Sequence, residues 1–535
     1  MNKKHGLKSI WKEYIFHNDK IIFVVAGNVL MLITSILVPF LIGKIIDDGL
    51  IARQYFYFYK FIAALVLCYA IGKLSSYFVT CWIAKIHFLS EIKFNLAIIE
   101  HVQKLPLAYL NKQDMVYLNT RIYQDCDSII GFALDNFISS VFSILIVFLL
   151  AVLVAAKDVW IAVALFLTIV IYVVIYMVYG AKIYEKFRIQ KETLNNFFAK
   201  LTYLLTNVKF IKINSLADYV DGKISNSIGN VIKRIIVYVK TNWMFTAYCD
   251  VIKYCFLLFY IYYGGVLVFN NKLLVGEFVV VIGYINILFE NISVVLEFSK
   301  SYKETRVAFD RVNDILLVVE ESSNGNILNY VNSIQVKDLT FGFDKKSNLF
   351  KEFNYEFRRG YSYCIVGKNG RGKSTFLMLL IGLLKPQNGN ILYDGIDIQK
   401  LNMEKMRKFR IGFSEQEPVL IGDTVKESIF YDNENIHVDN ELYEYLGNNL
   451  LSMIEKEAID NFMNLSGGEK QKISQLRVFV KNCDVLILDE PSSALDEKSK
   501  RKLLKIINMV KNKKIVIIVS HDKNIIDTCD FCLNL

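Results

Sequence analysis

The sequence predicts a two-part chain: an all-α polytopic membrane domain with six transmembrane helices over 1–310, a linker over 311–333, and an α/β domain over 334–535. Three observations predict it. Apolar segments of about 20 residues, the length needed to cross a bilayer, recur six times before residue 300. The connections between them alternate between short and long. Beyond residue 300 a short apolar strand pattern at 361–366 runs straight into a glycine-rich loop and then a helix pattern.

Bulk properties agree with this division. A chain of 535 residues exceeds one compact domain. Its hydrophobic fraction of 54% and mean hydropathy of +0.34 exceed the roughly 45–50% apolar content of soluble domains. The formal charge of +10 does not point to nucleic acid, because Lys and Arg cluster between apolar segments and form no basic tail. The nine cysteines have no metal-ligand spacing and read as small buried hydrophobes.

The spans fall at 21–43, 58–83, 132–156, 158–180, 246–269 and 275–296. Stretches such as 137–156 are apolar all round and carry no charge, which core helices of soluble proteins avoid. The long links, 84–131 and 181–245, are basic, so the positive-inside rule places them, the N-terminus and the α/β domain in the cytoplasm, with the spans in the cytoplasmic (inner) membrane. Folded as helical hairpins, these links project roughly 36 Å at 1.5 Å per residue. Their apices, near 111–119 and 213–221, are candidate coupling elements. The start has no cleavable signal pattern; it reads as an amphipathic helix on the membrane face with Ile10, Trp11, Tyr14, Ile15 and Phe16 on its apolar side. Lys73, Asp250, Lys253 and Glu290 interrupt the spans; Asp250 and Lys253, three apart, either pair with each other or leave Lys253, with Lys73, to line a substrate cavity.

The glycine-rich loop is Gly367-Lys368-Asn369-Gly370-Arg371-Gly372-Lys373-Ser374, followed by Thr375. Gly367, Gly370 and Gly372 let backbone N–H groups, with those of Asn369, Arg371 and Thr375, converge on phosphate oxygens at the positive end of the next helix. Lys373 is placed to neutralise the β and γ phosphates and Ser374 to hold Mg²⁺. Downstream, the apolar run 485–488 ends in Asp489-Glu490, an acidic pair at the carboxyl end of a buried strand. There Asp489 is expected to hold Mg²⁺ and Glu490 to polarise an attacking water.

Leu465-Ser466-Gly467-Gly468-Glu469 closely resembles the signature motif of the ATP-binding cassette (ABC) family, and the resemblance extends over nearly the whole chain. It implies an exporter-type half-transporter: the six-helix membrane domain fused to an α/β P-loop NTPase cassette that binds ATP and Mg²⁺ and hydrolyses ATP. It further implies that Ser466, Gly467 and Gly468 bind the γ-phosphate held by a second protomer. Gln416 resembles the family's Q-loop glutamine, which contacts Mg²⁺; 493–496 resembles the D-loop; His521 resembles the switch histidine that contacts the γ-phosphate. Residues 39–43, 105–107 and 207–212 are similar to recurring patterns of the exporter-type membrane domain. Phe343 stands at the adenine-stacking position where tyrosine is usual, Glu469 where glutamine is common, and 458–464 lacks the usual acidic and glycine pattern.

The resulting expectation is ATP-driven efflux of a peptide, amphipathic drug or lipid by alternating access, in a homodimer or with a related partner. A nucleotide-gated channel, a regulator or an importer on the same scaffold are the competing readings. Neither a peptide-trimming domain before the amphipathic start nor a regulatory extension after Leu535 is expected.

Overall fold

The computed structural model describes residues 7–16, 19–113, 115–321, 325–343, 348–431, 442, 445, 462 and 465–535. The chain divides into two compact units, Met1–Val102 with Val116–Val318, and Gln103–Met115 with Val319–Leu535.

The first unit is helical. Its main elements are α1 (Ile21–Lys44), α2 (Tyr55–Gln103), α3 (Met115–Gly131), α4 (Ile138–Ala155), α5 (Val159–Thr206), α6 (Ala217–Phe269) and α7 (Val275–Leu316). A π-helical turn, Phe132–Phe137, joins α3 to α4, so six continuous helical stretches are long and apolar enough to cross a membrane. They leave Phe23, Leu67, Phe148, Phe166 and Leu258 exposed, as a lipid-facing surface requires.

Between spanning helices, lipid supplies no hydrophobic drive, and close backbone approach takes its place. Where α1 meets α7, a Cβ on Gly276 would lie 2.2 Å from the Gly43 carbonyl oxygen. The Gly276 N–H donates to Asp47 at 2.6 Å, and the Tyr284 hydroxyl to the Ile36 carbonyl at 3.1 Å.

Helices α2 and α7 outlast their apolar spans. In α7 the buried residues Thr305, Ala308, Val312 and Ile315 recur at helical spacing, and in α2 Ile86, Ser90, Phe94 and Ile98 do the same. One buried stripe therefore continues where the lipid-facing surface ends, and the change of composition near residue 300 marks no break in α7. The links turn at short helices, Leu107–Leu110 and Val208–Ile213.

The N-terminal segment differs from its expected place on the membrane face. Its apolar side packs on protein: Trp11 donates its indole N–H to the Ile129 carbonyl at 3.1 Å and stacks on Phe132 at 5.7 Å, while Ile10 and Ile15 are buried. A buried indole needs a hydrogen-bond acceptor, and the Ile129 carbonyl supplies it. Among the described residues no ion pair joins Asp250 to Lys253; Lys73 lies over the Tyr69 ring at 5.5 Å, and Glu290 is exposed.

The second unit contains two sheets. An antiparallel sheet has the order β2-β1-β4-β5, with β1 Ser333–Phe341, β2 Phe350–Arg358, β4 Asn388–Tyr393 and β5 Ile396–Asp397. A parallel sheet has the order β6-β7-β8-β3-β9, with β3 Ser362–Val366, β6 Ile411–Ser414, β7 Val485–Asp489, β8 Ile515–Val519 and β9 Phe531–Asn534. Strands β7 and β8 are apolar runs buried along their whole length, the pattern of a parallel sheet covered on both faces. Among the helices, α8 (Lys373–Leu380) follows β3, α9 (Met403–Phe409) precedes β6, α10 (Val425–Phe430) follows it, α11 (Gly467–Val480) precedes β7, α12 (Glu497–Lys511) links β7 to β8, and α13 (Lys523–Thr528) links β8 to β9.

Candidate active site

Parallel register brings the ends of four strands together. Ser414 pairs with Leu488, Asp489 with Val519, and Ile365 with Val519, so the loops after β6, β7, β3 and β8 leave one edge of the sheet. Those loops carry Gln416, Glu490, the glycine-rich loop and His521. This is where open α/β sheets place ligands.

In the glycine-rich loop, Gly370 and Gly372 have φ of +82° and +88°, a region that costs a residue with a Cβ but not glycine. Gly372 caps α8, whose first residues are Lys373 and Ser374. The Lys373 ammonium donates to the Gly367 carbonyl at 2.8 Å and lies 2.9 Å from His521 Nε2. His521 Nε2 is also 3.6 Å from Glu490 Oε1. Lys373, His521 and Glu490 therefore meet around one point at the head of the loop. Asn369, Arg371 and Ser374 are exposed and Thr375 half-buried.

Asp489 is buried at the end of β7, beside Ser374. Burial raises its carboxyl above the ordinary range, against the pull of Ser374 and Lys373. Glu490 is also raised, first by burial, with His521 pulling it down and Asp489 pushing it up. A carboxylate so raised is a better proton acceptor than a solvated one. Ser374 and Asp489 offer oxygen donors of the kind a hard cation such as Mg²⁺ takes, and Gln416 lies exposed in the loop after β6.

Glu490 has φ +47°, strained for a non-glycine residue. Its N–H donates to the Val519 carbonyl at 2.9 Å. Two buried glutamines on α11, for which the sequence assigned no role, hold the rest of the turn. Gln471 donates to the Glu490 carbonyl at 2.8 Å and accepts from the Ala494 N–H at 3.1 Å. Gln475 donates to the Pro491 carbonyl at 2.6 Å and accepts from the Tyr445 hydroxyl. Their spacing of four residues, with Ser474 between them bonded to Ser414 at 3.2 Å, is a polar face on a buried helix and is the signal that marks them.

Ser466 caps α11 in a reciprocal box: its hydroxyl accepts from the Glu469 N–H at 3.3 Å, and the Glu469 carboxylate accepts from the Ser466 N–H at 2.8 Å and from its hydroxyl at 2.7 Å. Gly467 is exposed, and a Cβ on Gly468 would lie 2.6 Å from the Ala494 carbonyl. Within this chain the structure does not bring Ser466 to the Lys373 cluster by any hydrogen bond. Phe343 is exposed just beyond β1, its ring edge-on to Phe341 at 5.3 Å. The atypical stretch before the signature, 458–464, lies outside the described residues except for Phe462.

Two family models match the chain. The ABC transporter transmembrane region covers residues 21–292, more than half the chain, and the ABC transporter model covers 350–493. The chain belongs to the ABC transporter family. A probable multidrug resistance ABC transporter ATP-binding/permease protein, YheI of Bacillus subtilis, is 24% identical over 99% of this chain and 92% of its own length. The lactococcin-A transport/processing ATP-binding protein LcnC of Lactococcus lactis is 22% identical over 82% of this chain, which spans 63% of that relative. A bacterial Atm1-family ABC exporter solved with ATP bound superposes with a TM-score of 0.83 at 19% identity, covering 97% of this chain and 94% of the other. The protein is thus a multi-pass membrane half-transporter of the ABC exporter fold, which generally functions as a dimer, with an ATPase cassette coupled to transport.

Proposed function

We propose that this ABC transporter exports a peptide, an amphipathic drug or a lipid across the cytoplasmic membrane by alternating access, with N-terminus and cassette in the cytoplasm. The observation that carries the reading is the convergence of Lys373, His521 and Glu490 within 3.6 Å steps at the head of the glycine-rich loop. A protein using the cassette only as a nucleotide sensor has no need of a raised carboxylate there. Peptide cargo is favoured by similarity to the lactococcin-A transporter, and drug cargo by similarity to the multidrug-named relative.

In this reading the loop amides and Lys373 hold the β and γ phosphates of ATP. Glu490 takes a proton from water as the water oxygen bonds the γ-phosphorus and the bond to the bridging oxygen breaks; ADP leaves with that electron pair. His521, 2.9 Å from the Lys373 ammonium, is placed to orient the γ-phosphate. Bound Mg²⁺, held by Ser374, Asp489 and Gln416, supplies charge neutralisation. Ser466, Gly467 and Gly468 complete the site of a second protomer, a homodimer being favoured because every catalytic position is present in one chain.

The test is an ATPase screen of reconstituted protein against peptides, drugs and lipids, paired with ATP-dependent accumulation in inside-out vesicles. Stimulation by one class with ATP-dependent uptake is expected. Passive conductance gated by ATP, without accumulation, would replace export with a channel.

A further inference from the structure

Away from the nucleotide site, in the helical unit, four ionisable side chains converge. His87 and Glu91 stand one turn apart on α2, and Asp127 faces them from α3. His87 Nε2 lies 3.1 Å from Asp127 Oδ1 and 4.0 Å from Glu91 Oε2, and the three candidate ligand atoms all fall within 4.8 Å of one another. The other ring nitrogen, Nδ1, faces Asp135 at 3.7 Å.

Glu91 is 5% exposed, and its Oε1 has no hydrogen-bond partner. An ionised carboxylate oxygen buried without a partner is costly. Among the described residues the only ionic partner of Glu91 and of Asp127 is His87. Asp127 and Asp135 are exposed to water, but the buried Glu91 has only that one imidazole, at 4.0 Å, to offset its charge. Gly131 of α3 makes room for the ring: a Cβ there would sit 3.2 Å from His87 Cε1.

We propose that His87 Nε2, Glu91 and Asp127 bind a divalent transition-metal cation of the zinc class, with Asp135 orienting the imidazole through Nδ1. Tetrahedral zinc with bonds of about 2.0–2.2 Å needs ligand atoms roughly 3.3–3.5 Å apart. The observed 3.1 Å and 4.0 Å from His87 reach that with shifts of about half an ångström or less, and the third pair, within 4.8 Å, closes by rotation of the Glu91 and Asp127 side chains. One nitrogen and two carboxylates leave a fourth position for water, and a carboxylate behind the histidine is the usual outer partner of such a ligand. Bound there, the cation ties α2 to α3 across 40 residues of sequence and gives the buried Glu91 carboxylate the close partner that its Oε1 lacks.

The test uses full-length, chelator-treated protein in detergent without nucleotide, titrated with Co²⁺ followed by absorbance and with Zn²⁺ followed by metal analysis after dialysis. One equivalent per chain is expected, with a cobalt spectrum of nitrogen and oxygen ligands. Glu91→Gln and Asp127→Asn weaken binding at least tenfold, and Asp135→Asn about 10–100-fold as an outer-partner change does. Zn²⁺ raises the thermal midpoint of the wild type but not of Glu91→Gln; that variant, a near-isostere, is shown to be folded by a single cooperative melt in the absence of metal. Absence of stoichiometric binding to the wild type, a thiolate cobalt spectrum from the cysteines, or unchanged binding in folded Glu91→Gln and Asp127→Asn would each overturn the site.

Discussion

Replacing Gln475 by Leu tests whether the buried glutamines of α11 hold Glu490 in place or merely fill space. Leu has nearly the volume of Gln, so no cavity opens. Two partners lose their bonds: the Pro491 carbonyl, held at 2.6 Å, and the Tyr445 hydroxyl, both buried. Each orphaned buried group costs about 1–3 kcal/mol. The adjacent Glu490, at φ +47°, carries about 1–2 kcal/mol of strain that its own bonds to Val519 and Gln471, with the Gln475 bond to Pro491 next to it, sustain. With one anchor gone, relaxation of that strain lowers the population of the productive turn roughly 5–30-fold. Steady-state ATPase of reconstituted protein is therefore expected to show kcat down by about that factor. KM for ATP should stay within about twofold, because the glycine-rich loop is untouched. Tyr445→Phe keeps the Pro491 bond and should leave kcat within about threefold while costing about 1 kcal/mol of stability. A Gln475→Leu protein with lowered melting temperature but unchanged kcat would refute the positioning argument, and a raised KM with unchanged kcat would place the effect at nucleotide binding.

Glu490→Gln should keep ATP binding within a few-fold while turnover falls about 10²–10⁴-fold, the usual worth of a positioned base; wild-type turnover would remove it from that role. Burial raises both Asp489 and Glu490, so each contributes stability that is complete below its ordinary pKa and lost as pH rises through its raised value. As pH climbs out of the carboxylate range, nucleotide-free Glu490→Gln should lose less melting temperature, or gain more, than wild type; identical slopes would contradict the assignment. Glu469→Gln removes a carboxylate 2.7 Å from the hydroxyl of Ser466, the residue proposed to meet a partner's γ-phosphate. Relief of a like charge there is worth on the order of 1 kcal/mol, so KM for ATP should fall about fivefold at low salt and less at high salt. A rise in KM would mean that the cap outweighs the repulsion. Gly276→Ala drives a Cβ to 2.2 Å from the Gly43 carbonyl, and backbone cannot yield as a side chain does. Overpacking of this kind costs about 1–3 kcal/mol, measurable as an earlier unfolding midpoint in mixed detergent; an unchanged midpoint would show that α1 and α7 separate without penalty.

The six spans were legible because lipid permits few solutions: each crossing needs about 20 apolar residues, and nothing soluble competes with that pattern. The extension of α2 past its span agrees with the helical-hairpin reading of 84–131, whereas the unbroken run of α7 was not legible, since beyond the lipid its apolar face narrows to single positions such as Val312 and Ile315 spaced along otherwise polar sequence. The N-terminal segment was read as amphipathic, but amphipathicity fixes a buried side without naming its partner. Only the Trp11 bond to Ile129, 118 residues away, identifies that partner as protein.

At the glycine-rich loop, the residues proposed to touch phosphate stand out in the sequence because that chemistry demands fixed residue types at fixed spacing after a strand. Those that shape the site obey no such spacing. Gln471 and Gln475 were passed over because an amide side chain is ordinarily a surface group. Their burial follows from what they face: the backbone after β7 turns sharply at Glu490 and exposes carbonyls with no strand partner, and a buried carbonyl needs a donor. A strained turn at a strand end thus implies a nearby donor, and in a parallel sheet that donor must come from a covering helix. The polar residues at i and i+4 inside such a helix are where to look for it, and the same reasoning explains why His87 and Glu91, also four apart, gave no sign of Asp127 until α3 was packed beside them.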